Sequence, residues 1–81
     1  MSRTTPVRVP NLGTEANSAR VAVWLRRPGD TVAAGEIVAE IETEKATVEL
    51  EAPVAGVLRD IVVPEGAEVP VGATLGLIEH D

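Results

Sequence analysis

A chain of 81 residues with 13 acidic and 7 basic side chains carries a formal charge of −6. Nucleic acid is excluded as a partner, because counterion release needs clustered Lys and Arg and only Arg26-Arg27 form a pair, so basic protein surfaces are the expected partners. With no cysteine there is neither a disulfide nor a thiolate metal site, and one thin core, burying roughly 60–65% of the unfolded surface at this size, must hold a single domain over residues 1–81. No apolar stretch reaches bilayer-spanning length, and residues 1–6 lack the apolar centre of a signal peptide, so a soluble intracellular protein without membrane contact is expected.

Apolar and polar residues alternate along the chain. Val21, Val23 and Leu25 stand against Arg20, Trp24 and Arg26, which predicts a strand with Trp24 on its outer, partly covered face. Turns follow at Pro28-Gly29-Asp30 and Ala34-Gly35, with a short strand at Val32 between them. Glu40, Glu42 and Glu44 occupy alternate positions of the next strand and share one face. A short turn over Thr43 to Ala46 then leads to a return strand in which Val48 and Leu50 oppose Thr47, Glu49 and Glu51. Pro53, Gly56, Pro64-Glu65-Gly66 and Gly72 continue the punctuation at the spacing of a small all-β sandwich, and no helix is predicted.

The same unit occurs twice. Residues 25–42 match residues 62–79 at a constant offset of 37, with Gly29 on Gly66, Val32 on Val69, Gly35 on Gly72, Ile41 on Ile78 and Glu42 on Glu79. Two of these five identities are turn glycines, where a backbone with positive φ has a physical need for Gly. Two units that cannot bury their apolar faces alone are expected to pack face to face about an approximate two-fold axis. The equivalent of Lys45 in the second copy would be residue 82, so the Lys45 turn and the carboxyl terminus should be two-fold mates at opposite ends.

Lys45 is the only lysine, the other six basic residues being arginines. A solvated lysine among glutamates, making weak ion pairs, is the plain reading. The functional reading is an amine acylated by a modifying enzyme, which needs an exposed side chain on a rigid turn.

The segment Glu42-Thr43-Glu44-Lys45-Ala46 resembles the lipoyl-lysine motif of the lipoyl domains of 2-oxo acid dehydrogenase complexes, in which an acidic residue precedes the modified lysine and a small apolar residue follows. The resemblance extends through Val7-Arg8-Val9-Pro10-Asn11-Leu12-Gly13, Val23-Trp24-Leu25, Pro28-Gly29-Asp30-Thr31-Val32 and Glu51 to Leu58. It implies a flattened barrel of two four-stranded antiparallel sheets related by a pseudo-two-fold, with the lysine on a hairpin opposite the termini. Lys45 would carry lipoic acid in amide linkage, attached by a lipoate ligase or lipoyl transferase. Glu42 and Gly56 would report the placement of the hairpin to that enzyme, and Thr43, Glu44 and Ala46 would shape the turn. The loop from Asn11 to Ser18, with Asn11, Leu12, Gly13, Thr14 and Glu15, would lie near the lysine and be recognised by the partner decarboxylase. Glu44 stands where the family more often has Asp, which implies a small change of turn geometry.

The implied role is that of a non-catalytic swinging-arm carrier. It would serve a thiamine-dependent 2-oxo acid decarboxylase, an acyltransferase core and a dihydrolipoyl dehydrogenase, in a bacterial cytoplasm or mitochondrial matrix, as an isolated monomer. Within the family the residues look most like the domain of the 2-oxoglutarate dehydrogenase succinyltransferase. A biotin carrier shares the fold, but its lysine is usually flanked by methionine, and Met1 is the only one here. An unmodified β-sandwich interaction module and a hairpin adaptor of a membrane fusion protein are further alternatives. No nucleophile–base pair, metal cluster or second histidine is visible, so no catalytic residue is assigned.

Overall fold

A computed structural model describes residues 2–11 and 17–81. Among these residues every regular element is a strand: β1 (Arg3–Arg8), β2 (Ser18–Trp24), β3 (Thr31–Val32), β4 (Ile37–Glu42), β5 (Thr47–Glu51), β6 (Gly56–Ile61), β7 (Glu68–Pro70) and β8 (Thr74–His80). They form two four-stranded antiparallel sheets, ordered β1-β8-β6-β3 and β5-β4-β2-β7. The all-β double sheet expected from alternation and turn spacing is the observed architecture.

The internal repeat is a two-fold operation that exchanges β2 with β6, β3 with β7, β4 with β8 and β5 with β1. Hydrogen bonds repeat at the same offset. Gly29 N–H donates to the Leu58 carbonyl at 2.7 Å and Gly66 N–H to that of Val21 at 2.7 Å, while Leu25 N–H reaches Val38 O and Val62 N–H reaches Leu75 O, both at 2.8 Å. The turn glycines share one conformation, with φ of 98°, 84°, 90° and 89° at Gly29, Gly35, Gly66 and Gly72, a region that costs a residue with a Cβ.

The core obeys the same operation. Val21 and Leu58, Val32 and Val69, Val38 and Leu75, Ile41 and Ile78, Val7 and Leu50, and Val9 and Ala52 are buried mates. Ala19 and Ala39 are also buried, and their mates are Gly56 and Gly76. Burying an aliphatic side chain of this size contributes about 1.5–3 kcal/mol, which is how a small chain without cross-links gathers enough apolar burial to fold.

One expectation is corrected. Leu25 is 42% exposed, whereas Trp24 packs against the core and donates its indole N–H to the Val63 carbonyl at 2.9 Å. The cause is a β-bulge between Val21 and Val23, which shifts the register on β4 by one residue and reverses the faces of the residues that follow. Its two-fold mate lies between Leu58 and Asp60, and accordingly Val62, the mate of Leu25, is 53% exposed.

Strand directions place the two ends of the molecule. β2 begins beside Glu42, at the β4–β5 hairpin, and β6 begins beside Glu79, near the carboxyl terminus. The start of β6 also pairs with Thr31, which follows the end of β2, and the start of β2 pairs with Pro70, which follows the end of β6. The two strands therefore run in opposite directions, and the hairpin and the described chain ends occupy opposite ends of a body 39 × 20 × 18 Å in extent.

Candidate functional site

The β4–β5 hairpin closes over Thr43, Glu44, Lys45 and Ala46. Thr43 N–H donates to the Ala46 carbonyl at 2.8 Å. The Thr43 hydroxyl accepts from Lys45 N–H at 3.3 Å and Ala46 N–H at 3.2 Å and donates to the Ala46 carbonyl at 3.2 Å. One donor and two acceptor sites are all that a hydroxyl has, so Thr43 spends its whole capacity on the tip. Every non-glycine residue described has negative φ, so the tip needs none of the left-handed residues of the commonest two-residue hairpins, and the Thr43 side chain accepts in place of a backbone carbonyl.

This geometry sets Lys45 at the apex. Glu44, Lys45 and Ala46 are exposed. Among the described residues the Lys45 amine has neither a hydrogen-bond partner nor an ion pair, although three glutamates lie within four positions of it. An unpaired primary amine on a short, internally bonded turn is open to acylation, and attachment there would cost no existing interaction.

Glu42 closes β4, opposite Thr47 on β5 and Arg20 on β2, and its Oε1 accepts from Arg20 Nη2 at 3.0 Å. Sequence reasoning missed Arg20 as the partner of Glu42. Arg20 lies 22 positions from Glu42, and only the strand register, offset by the bulge, brings the two together.

Gly56 is not brought to the hairpin. It starts β6 in the other sheet, at the end that carries the carboxyl terminus. A Cβ at this position would overlap the Glu79 carbonyl oxygen and lie 2.9 Å from Ile78 Cγ2 and 3.1 Å from the Glu79 carbonyl carbon. The visible requirement for glycine there is close approach of two backbones.

Of the loop residues, Asn11 is described and Leu12, Gly13, Thr14 and Glu15 lie outside the described residues. The described flanks sit at the hairpin end, since β1 runs away from the carboxyl-terminal end of β8 and β2 starts beside Glu42. The Asn17 carbonyl there accepts from Val71 N–H at 3.0 Å.

A titration shift lies elsewhere. The Glu36 carboxyl is held below its ordinary value, first by the Ala33 backbone N–H bonded to it at 2.9 Å and then by Arg26, with partial desolvation acting the other way. Among the described residues no group of three or more His, Cys, Asp and Glu is arranged to hold a metal, and no helix is long and apolar enough to cross a membrane.

Three comparisons bear on what this arrangement is. A family model described as "Biotin-requiring enzyme", of the biotin/lipoyl type, matches residues 5–78. The chain is 46% identical over 76 residues to the dihydrolipoyllysine-residue succinyltransferase component of the 2-oxoglutarate dehydrogenase complex of Bartonella vinsonii subsp. berkhoffii, a match covering 94% of the chain and 18% of that protein. It is 44% identical over 77 residues to the dihydrolipoyllysine-residue acetyltransferase component of the pyruvate dehydrogenase complex of Rickettsia felis, again covering 94% of the chain and 18% of the relative. The chain thus spans about a fifth of the length of these relatives. The solution structure of the lipoyl domain of the 2-oxoglutarate dehydrogenase complex from Azotobacter vinelandii superposes with a TM-score of 0.73 at 33% identity, covering 90% of this chain and 92% of that one.

Proposed function

Since the chain belongs to the biotin- and lipoyl-attachment family and is a lipoyl carrier domain, we propose that Lys45 is its attachment point, and that residues 1–81 act as one non-catalytic domain serving a dihydrolipoamide acyltransferase. The observation that carries the assignment is the sole lysine standing exposed and unpaired at the apex of an internally bonded turn. A lipoate ligase, using ATP to activate the lipoyl carboxyl, or a lipoyl transferase, bringing an already activated acyl group, would join that acyl carbon to the Lys45 nitrogen as an amide, while the activating group leaves and the amine gives up a proton. The charge of the lysine is lost in that step. Once attached, the group would supply a dithiolane, the chemistry needed to carry an acyl group together with two electrons.

The contribution of the chain is physical. Thr43 keeps the tip closed, so the arm starts from a fixed point rather than a floppy loop. The two sheets set that point at the far end of the barrel from the described chain ends, clear of any tether leaving from them. Tethering turns encounters with the thiamine-dependent decarboxylase, the acyltransferase core and the dihydrolipoyl dehydrogenase into local ones at raised effective concentration. Recognition of the surface around the hairpin, with Glu42, Glu44 and Ala46, limits which decarboxylase uses the arm, and the sequence from Asn11 to Glu15 is proposed to share in that recognition. Gly56 serves the barrel itself, by letting β6 and β8 approach at the end remote from Lys45. The 2-oxoglutarate complex is the favoured setting, in a bacterial cytoplasm or a mitochondrial matrix. Support for it comes from the succinyltransferase relative and the lipoyl-domain structure.

The test is the intact mass of the wild type and of Lys45→Arg after incubation with ATP and either lipoate with lipoate ligase or biotin with biotin ligase. One lipoyl addition to the wild type and none to the variant is expected. A folded wild type that lipoate ligase leaves unmodified would overturn the assignment.

A further inference from the structure

Three carboxylates flank Lys45 within four positions, yet only one has a cationic partner, and that partner is not the lysine. Across the second sheet the register sets Thr47, Glu42, Arg20 and Glu68 in one lateral row, with Arg20 the only cation between two glutamates. Its guanidinium turns toward the hairpin and bonds Glu42 Oε1 at 3.0 Å. The two-fold supplies an internal control. The mate of Arg20 is Val57, and Glu79, the mate of Glu42, is bound by Arg59 from the bulge position instead, at 3.3 Å. An arginine directly opposite the glutamate is therefore a feature of the hairpin sheet and not of the repeat unit.

We propose that Arg20 is a positioning residue for modification of Lys45, acting through Glu42. This rests on the reading of Lys45 as the attachment point. By engaging the Glu42 carboxylate, the guanidinium limits that side chain to one rotamer family on the sheet face, where a modifying enzyme meets it as a placed acceptor. It also keeps the Glu42 carboxylate from turning to the Lys45 amine three residues on. Without Arg20, Glu42 has Lys45 as its remaining nearby cation in the sequence segment, and an ion pair there would compete with entry of the amine into an enzyme site.

Arg20 and Glu42 are both well exposed, with side-chain accessibilities of 59% and 43%. The effect therefore stays within what an exposed ion pair carries, about two- to five-fold. The experiment is steady-state lipoylation of the intact domain by lipoate ligase, read by mass, on the wild type, Arg20→Gln, Glu42→Gln and the double variant. Arg20→Gln should raise the KM for the domain by about two- to five-fold with kcat unchanged, and the same substitution in the Glu42→Gln background should have no further effect. An unchanged KM in Arg20→Gln overturns the proposal. So does an equal loss with and without Glu42, since Arg20 would then act by itself. A wild type that is not modified at all would instead overturn the assignment of Lys45, so the two failures are distinguishable.

Discussion

Replacing Gly56 by alanine separates a glycine needed by the barrel from a glycine read by an enzyme. The added methyl would overlap the Glu79 carbonyl oxygen, with Ile78 Cγ2 at 2.9 Å and the Glu79 carbonyl carbon at 3.1 Å. Two of the three obstacles are backbone atoms, so rotamer changes cannot clear the space and β6 must move away from β8. Overpacking of this kind costs about 1–3 kcal/mol, and the backbone obstacles place it toward the upper end. A chain of 81 residues has a total stability of about 4–12 kcal/mol. The variant should therefore remain folded at 25 °C but melt about 10–20 °C lower, at about 4–8 °C per kcal/mol for this size. Trp24, the only aromatic residue, is half-buried, and its fluorescence reports the transition. Below the new midpoint the lipoylation rate should stay within about two-fold of the wild type, because Gly56 lies at the end remote from Lys45. Wild-type melting combined with a strong loss of lipoylation would refute the steric account and make Gly56 a residue that the enzyme contacts.

Thr43→Val keeps shape but removes a hydroxyl with three bonds at the tip. Its cost should be about 0.5–1.5 kcal/mol, seen as faster amide exchange at Lys45 and Ala46 and recovered in Thr43→Ser. Glu36 has a folded pKa below its ordinary value of 4.5, so its contribution to stability is complete at neutral pH and is lost as pH falls from about 4.5 through the lower folded value. Denaturant melts between pH 6 and pH 3 should show a shallower acid loss in Glu36→Gln than in the wild type, and parallel curves would contradict the assigned bonds to Ala33 and Arg26.

Much of the molecule is written in neighbouring residues. The turn glycines at 29, 35, 66 and 72 announce positive φ because only glycine takes it without strain, and their constant offset predicts the two-fold before any strand is paired. The apex position of Lys45 follows from the same counting, since the hairpin and the chain ends are mates in the repeat. Those features depend on local dihedrals and on period, which adjacent residues determine.

Tertiary structure alone decided the rest. Alternation predicts Leu25 inside and Trp24 outside, and a single extra residue at each bulge reverses them, because side chains on a strand alternate with a period of two. Eleven positions separate Gly56 from Lys45 in sequence, yet the chain crosses to the other sheet and the opposite end between them, which spacing along a chain cannot express. The bond from Arg20 to Glu42 depends on how two strands register across the sheet, a choice made by the packing of the whole core rather than by either residue.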